Sequence, residues 1–343
     1  MTVLSQPLLG VCRLLDRVRV PVIRLLGRPG KVLVRRRELR VAAFGSVVIL
    51  SSLAGAVFWP LWLLALGPVI LGVPHVLSDV RYLVMGPGHH RRMRFWLPVG
   101  GPLVAAGCGF HPVESGLVAV AAAAVLSRGA WAKKTLVLLA AGAVGAAAWH
   151  AGYVAQIVFA HAHNLVALAL WWFWRPRTHA SAALVPVLFF LAVLAFAGGW
   201  LRPVDGAWSW FPGGGLDFGS HASVLAPGVS AEAAVRLVAL FAFAQAVHYG
   251  IWLRLIPEDN RPRETPRPFT ATLRAMEADV GPLVLALAAV LAVGIGVWAL
   301  ADLAAARIGY LRMALFHGYL ELVAGTLLFL EGRPAGSSGA RPA

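Results

Sequence analysis

Seven ionisable residues stand inside long apolar runs. They are His75 and Asp79 in "GVPHVLSD", His161 and His163 in "FAHAHN", His248 in "QAVHYGIW", and His317 and Glu321 in "FHGYLELV". Charged or ionisable side chains are costly in apolar surroundings, so their presence asks for a function. His75 and Asp79 are four residues apart and share one helix face, and His317 and Glu321 repeat that spacing. Imidazole nitrogens and carboxylate oxygens together form a metal donor set. It suits non-haem iron first, with zinc or manganese behind it. Asp79 and Glu321 either ligate directly or orient a histidine through its other ring nitrogen. If both ligate, a two-metal site becomes possible.

His161 and His163 cannot act alike. At a spacing of two, side chains on a regular helix point about 200° apart. One is expected to be a ligand and the other to have a different role. Gln156 lies seven residues before His163 and shares its face, which favours His163. Tyr249, beside His248, is a candidate hydrogen-bond donor to bound oxygen or an ordinary packing residue. Plainer readings stand beside these. A single intramembrane histidine can simply hydrogen-bond across helices, and Asp79 can pair with Arg81 or Arg254. The whole set can also serve as a proton relay in a proton-coupled transporter, or a histidine pair can hold haem. His89, His90, His179, His111 and His221 fall in loops and read as surface residues. His150, at the outer edge of a span, is ambiguous.

The elements that must position these residues are apolar helices. The chain has 343 residues, 59% hydrophobic and 13% charged, where a soluble domain has about 25% charged residues. Apolar runs recur at about 41–59, 61–85, 97–110, 116–127, 135–149, 151–174, 181–200, 231–256, 280–302 and 309–330. The expected fold is therefore all-α, a polytopic transmembrane helix bundle of about ten spans, with eight as the lower bound. The runs 97–110, 116–127 and 135–149 are short for a straight crossing, and the first two can form a re-entrant hairpin around "FHPVES". Pro68 and Pro74 are expected to kink the second span.

Charge sets the orientation. With the N-terminus in the cytoplasm, 26 of the 30 Lys and Arg fall in inner segments, leaving Arg202, Arg236, Arg307 and Arg312 outside. That bias puts both termini inside, in a bacterial-type inner membrane. The net charge of +15 is thus topological, and a nucleic-acid partner is not expected. All seven polar residues lie in even-numbered spans. Counted to the inner end of each span, they sit at ~9 to ~20 Å, one layer near the middle of the hydrocarbon.

The remaining segments read as accessories. Residues 1–40 form a basic interfacial segment, broken at Pro21 and Pro29, that can hold anionic lipid headgroups. Residues 41–330 form the membrane domain and 331–343 a flexible tail. In the outer loop 201–230, Trp208, Trp210, Phe211 and Phe218 read as an interfacial aromatic belt, and Gly213–Gly215 leave room for a lid. Residues 257–278 read as a polar, Pro-rich inner loop, a conceivable surface for a redox partner. Cys12 and Cys108 imply no disulfide framework, and no cleavable signal peptide is expected at the N-terminus. His-Glu-x-x-His, Glu-Glu-x-x-x-Arg, Gly-x-Ser-x-Gly, Walker and dinucleotide motifs are all absent.

The stretch "GVPHVLSD" resembles the Gly-x-Pro-His-x-x-x-Asp segment of bacterial Brp/Blh-type β-carotene dioxygenases. "AQAVHYGIW" and "LFHGYLEL" lie where that family has further histidine-bearing helices. This chain has Val76 where the family has glycine, and Trp252-Leu253-Arg254 where it has clustered histidines. The resemblance implies a polytopic membrane protein that holds iron through histidines, His75 foremost, then His248 and His317, and cleaves a carotenoid. The expected function is an integral-membrane, iron-dependent oxygenase acting on an apolar lipid or isoprenoid substrate.

Overall fold

The computed structural model describes residues 6–204, 206 and 216–332. Every regular element among them is a helix. Two basic helices, α1 (Gln6–Leu25) and α2 (Gly27–Arg35), precede the bundle. The bundle helices are α3 (Arg37–Phe58), α4 (Pro60–Met85), α5 (93–107), α6 (Pro112–Leu126), α7 (Trp131–Ala151), α8 (Tyr153–Phe173) and α9 (Ala180–Ala197). After a short α10 (Phe218–Leu225) come α11 (Ala231–Asp259), α12 (Phe269–Val280), α13 (Pro282–Ala301) and α14 (Leu303–Glu331).

Eight of these helices are long and apolar enough to cross a membrane: α3, α4, α7, α8, α9, α11, α13 and α14. Their outward faces are apolar as well. Leu287, Val290 and Val293 on α13 and Leu136, Leu139 and Val144 on α7 are all exposed. In water such surfaces would aggregate; in lipid they are the solvated face. The run expected to end at 149 thus reaches crossing length as α7. The other two short runs do not. Each of α5 and α6 is about 22 Å long, against about 30 Å of hydrocarbon. They form a hairpin that turns at 108–111, where His111 takes a left-handed φ of 39°.

Contacts fix which helix ends lie together. Arg92, before the hairpin, pairs with Glu331 at the end of α14, and the backbone N–H of Arg128, after it, donates to the same carboxylate. The hairpin therefore returns to the end of the bundle where it began. At that end the first turn of α3, the end of α11 and the segment after α8 meet in a buried ionic cluster. Arg40 pairs with Glu258 at 2.6 Å, Arg177 with Asp259 at 2.6 Å, and Arg175 with Glu38 at 3.2 Å. Trp171 Nε1–H also donates to Asp259. Both described chain ends belong to this basic end. At the opposite end α7 and α8 are joined by Gly152 alone, at φ +56°, a conformation a side chain would strain.

Several local expectations need correction. The N-terminal segment breaks at Gly27, φ +57°, because glycine relaxes there, while Pro21 is accommodated inside α1 and Pro29 in the first turn of α2. Arg37 to Arg40 already belong to α3, and Glu331 ends α14 rather than opening a tail. The polar stretch 257–278 is not all loop, since it contains most of α12. Asp16 on α1 caps α12 by accepting from the backbone N–H groups of Phe269 and Thr270 and from the Thr270 hydroxyl. Those donors hold the Asp16 carboxyl below the usual range against the desolvation that raises it. Trp208, Trp210, Phe211 and Gly213–Gly215 lie outside the described residues. Phe218 lies on α10, which packs over Leu64, Val238 and Phe241. His221, read as a surface residue, is buried there, its Nδ1 on the Asp217 carbonyl at 2.9 Å. Arg307, expected in an outer loop, lies on α14 and donates from Nε to the Leu64 carbonyl at 2.7 Å. Pro68 has no N–H to offer that carbonyl across the usual four residues.

Candidate metal centre

Four helices, α4, α8, α11 and α14, bring histidines to one place. The His75 ring centroid lies 4.9 Å from that of His317 and 5.4 Å from that of His248. His163 closes the group, 5.2 Å from His248 and 5.5 Å from His317. One donor atom from each of His75, His248 and His317 lies within 4.8 Å of the others, and the same holds for Asp79, His317 and Glu321. The two sets share His317. The exposures of His75, Asp79 and Glu321 are 0%, and that of His248 is 1%.

The backbone is distorted where it delivers these residues. A wide π-helical turn, Gly67–Leu71, contains Pro68 and precedes His75, and another, Val80–Met85, follows Asp79. A third, Ile251–Leu255, follows His248. In α14 the helix breaks at 314–316, and His317 opens its second half. Such interruptions re-aim side chains that a regular helix would send elsewhere.

Hydrogen bonds select the tautomers. His163 Nδ1 faces the Ala160 carbonyl at 2.8 Å, and His317 Nδ1 faces the Ala314 carbonyl. A carbonyl only accepts, so both Nδ1 atoms carry the proton and both Nε2 atoms keep a lone pair. His75 Nδ1 lies 3.4 Å from the Tyr310 hydroxyl. A metal on His75 Nε2 requires Nδ1–H to donate to Tyr310. The Tyr310 ring fits because residue 72 is glycine; a Cβ there would stand 2.3 Å from it.

The acids are anchored differently. Trp252 Nε1–H donates to Glu321 Oε1 at 2.7 Å, and His248 Nε2 lies 3.5 Å from the same oxygen. The Trp252 carbonyl in turn accepts from the Ser78 hydroxyl at 2.7 Å. Asp79 has no ion pair among the described residues. Arg81 pairs instead with Asp279, and Arg254 with Glu258 while lying over the Phe44 ring. The plain explanation of Asp79 is therefore removed.

Seven buried atoms here have no hydrogen-bond partner among the described residues: His75 Nε2, both nitrogens of His248, His317 Nε2, both oxygens of Asp79 and Glu321 Oε2. Each unsatisfied buried polar atom costs about 1–3 kcal/mol. Two carboxylates buried together without a cation add repulsion. The carboxylate oxygens, the Nε2 atoms of His75 and His317 and one nitrogen of His248 supply lone pairs at one place, and they fit a metal ion, or two sharing His317, better than they fit one another.

His161 is not brought in. Its Nε2 lies 3.0 Å from the Leu225 carbonyl and its ring meets Phe241 edge-on, so it ties α8 to α10. The Tyr249 ring lies 4.6 Å from that of His75. Tyr310, Trp252 and Ser78 were not singled out from the sequence. Their signals were present, Trp252 four residues after His248 and Ser78 three after His75, but aromatic and hydroxyl residues at helical spacing usually mean packing. Comparison of the chain with protein-family models, curated proteins and solved structures returns no match.

Proposed function

We propose that this protein is an integral-membrane non-haem iron oxygenase acting on an apolar substrate taken from the lipid phase, a carotenoid, another isoprenoid or an acyl chain. The observation that carries the reading is the convergence of lone-pair donors from α4, α11 and α14 in a site with no protein partner for them among the described residues, with the His163 ring of α8 beside them. By the positive-inside pattern, the basic end and both termini face the cytoplasm.

His75, His163, His248 and His317 would hold the metal. Asp79 and Glu321 would offset its charge, as ligands or through the histidines. Iron in a nitrogen and oxygen donor set of this kind supplies the binding and activation of O2. The chain's own contribution is positioning. The carbonyls of Ala160 and Ala314 and the Tyr310 hydroxyl fix three imidazoles, and Trp252 fixes Glu321. The stacked Phe159 and Tyr319 rings, 4.2 Å apart, keep that side of the site dry, which suppresses side reactions. Tyr249, its ring 4.6 Å from that of His75, would donate a hydrogen bond toward a reactant there.

The test is elemental analysis of the detergent-purified protein beside its His75→Ala and His317→Ala variants. One or two irons per chain, lost in both variants, support the reading and direct the search for substrate to carotenoids and lipids under O2. Metal-free protein from iron- and zinc-replete cells overturns it and favours a proton-coupled carrier using the same buried His and acid pairs as a relay. A haem absorption band would instead assign the histidines to haem.

A further inference from the structure

A cavity of about 580 Å³ opens at the basic end of the bundle, between α4, α7, α8 and α14. That volume is in the range of small-molecule sites. Its floor is apolar and includes Leu83, Leu170, Ala324 and Leu327. Leu83 lies four residues beyond Asp79 and Ala324 three beyond Glu321, so the floor ends about 4–6 Å from the level of the acids. Three of the four helices that carry the histidine cluster also wall this cavity.

The mouth is basic. Arg92, Arg128 and Lys133 line it against one acid, Glu331. Glu331 is consumed by its two-point pairing with Arg92, at 2.8 and 2.7 Å. The Arg128 guanidinium is exposed and has no ion pair among the described residues, and the Lys133 ammonium lies over the Phe329 ring, 5.3 Å from its centroid. His89 adds no charge near neutrality. Burial, and then the nearby Arg92, bring its pKa down to about 4. Two cations are therefore left uncompensated above an apolar trough.

We infer that this cavity binds a single-chain amphiphile with an acidic head, carboxylate or phosphate, the head on Arg128 and Lys133 and the chain along Leu83, Leu170 and Leu327 toward the histidine cluster. Binding follows from the cavity alone; that the amphiphile is the substrate, anchored by its head, rests on the metalloenzyme reading. It narrows the substrate class from any apolar lipid to an acyl or isoprenoid chain with an anionic terminus.

The experiment is photolabelling of the full, detergent-purified chain with stearate carrying a mid-chain diazirine, and with the matching lysophosphatidate, followed by peptide mapping. Saturable labelling by either probe at 170–174 or 324–330 is expected. It should be displaced by oleate, untouched by inorganic phosphate, and at least fivefold weaker in the Arg128→Ala/Lys133→Ala variant. Both substituted side chains are exposed, so the variant should fold. Equal labelling by a photoreactive phosphatidylcholine, displacement by phosphate alone, or label spread along lipid-facing α13 with no loss in the variant would each overturn the site. Metal is measured on the same preparations. Labelling without metal keeps the binding site and removes its role as a substrate anchor, whereas metal without labelling overturns the cavity inference alone.

Discussion

His161 and His163 are two residues apart, and their rings meet different neighbours. His163→Ala should remove a metal ligand and cut iron content by at least half, while His161→Ala should leave iron in place and loosen α10, which metal analysis and limited proteolysis near Leu225 can read separately. At Glu321 the fixed partner is Trp252. Trp252→Phe leaves the carboxylate without its donor, and metal affinity should fall about 10- to 100-fold, as when groups that orient a ligand are lost. Equilibrium titration of the apoprotein with ferrous iron or zinc checks this. Gly72→Ala would place a Cβ 2.3 Å from the Tyr310 ring. Overpacking of that kind costs about 1–3 kcal/mol. A lower Tm together with weaker metal binding is expected, because Tyr310 moves off His75. At this scale much was legible, because an ionisable residue in an apolar run has few reasons to exist, and His75, Asp79, His248, His317 and Glu321 announced themselves that way. Tyr310 and Trp252 did not, since an aromatic residue in a membrane helix needs no explanation.

Among the elements, the ten helical segments followed the apolar runs closely, because backbone groups in lipid must be satisfied within a helix. The interruptions followed less well. Pro68 marks the turn before His75, but the breaks at Ile251–Leu255 and at 314–316 contain neither glycine nor proline. For the first the signal stands just outside the turn: the Ile256 N–H donates to the Ile251 carbonyl, and Pro257 has no N–H to continue the ladder. The Ser78 hydroxyl bridge to the Trp252 carbonyl is a direct tie between α4 and α11. Ser78→Ala removes it and leaves the carbonyl without a donor, since the Ile256 N–H goes to the Ile251 carbonyl and Pro257 has none to give, so a loss of about 1–3 kcal/mol is expected, read as a lower midpoint of thermal or denaturant unfolding in detergent. A fall of several kcal/mol would mean that the bridge also holds the metal ligands in register.

For the whole molecule, charge separates the two ends, and the buried ionic cluster at the basic end joins α3, α8 and α11. Glu258 there is 1% exposed and faces Arg40, Arg254 and Arg261. Glu258→Gln leaves those guanidiniums without their counter-charge, and a loss of about 3–5 kcal/mol is expected, large enough to lower the yield of folded protein. His89 gives a pH dependence with a definite sign. Its folded pKa is about 4, below the usual 6.5, so on acidification the unfolded chain takes up a proton first. Stability should therefore be unaffected above about pH 6.5 and fall progressively toward pH 4. The wild type should lose more Tm between pH 7 and pH 5 than His89→Phe, which keeps the stack on Phe95.

The four histidines of the cluster are distributed from residue 75 to residue 317 of a 343-residue chain, and the last of them stands in α14, the last helix among the described residues. At about 5–20 residues per second of synthesis, roughly 10 to 50 s separate the first donor from the last. Throughout that interval His75 and Asp79 are in place without the groups that complete the set. On the metalloenzyme reading, a chain still lacking α14 would offer any passing ion too few donors to hold it, so metal capture would wait for that helix and serve as a checkpoint on assembly.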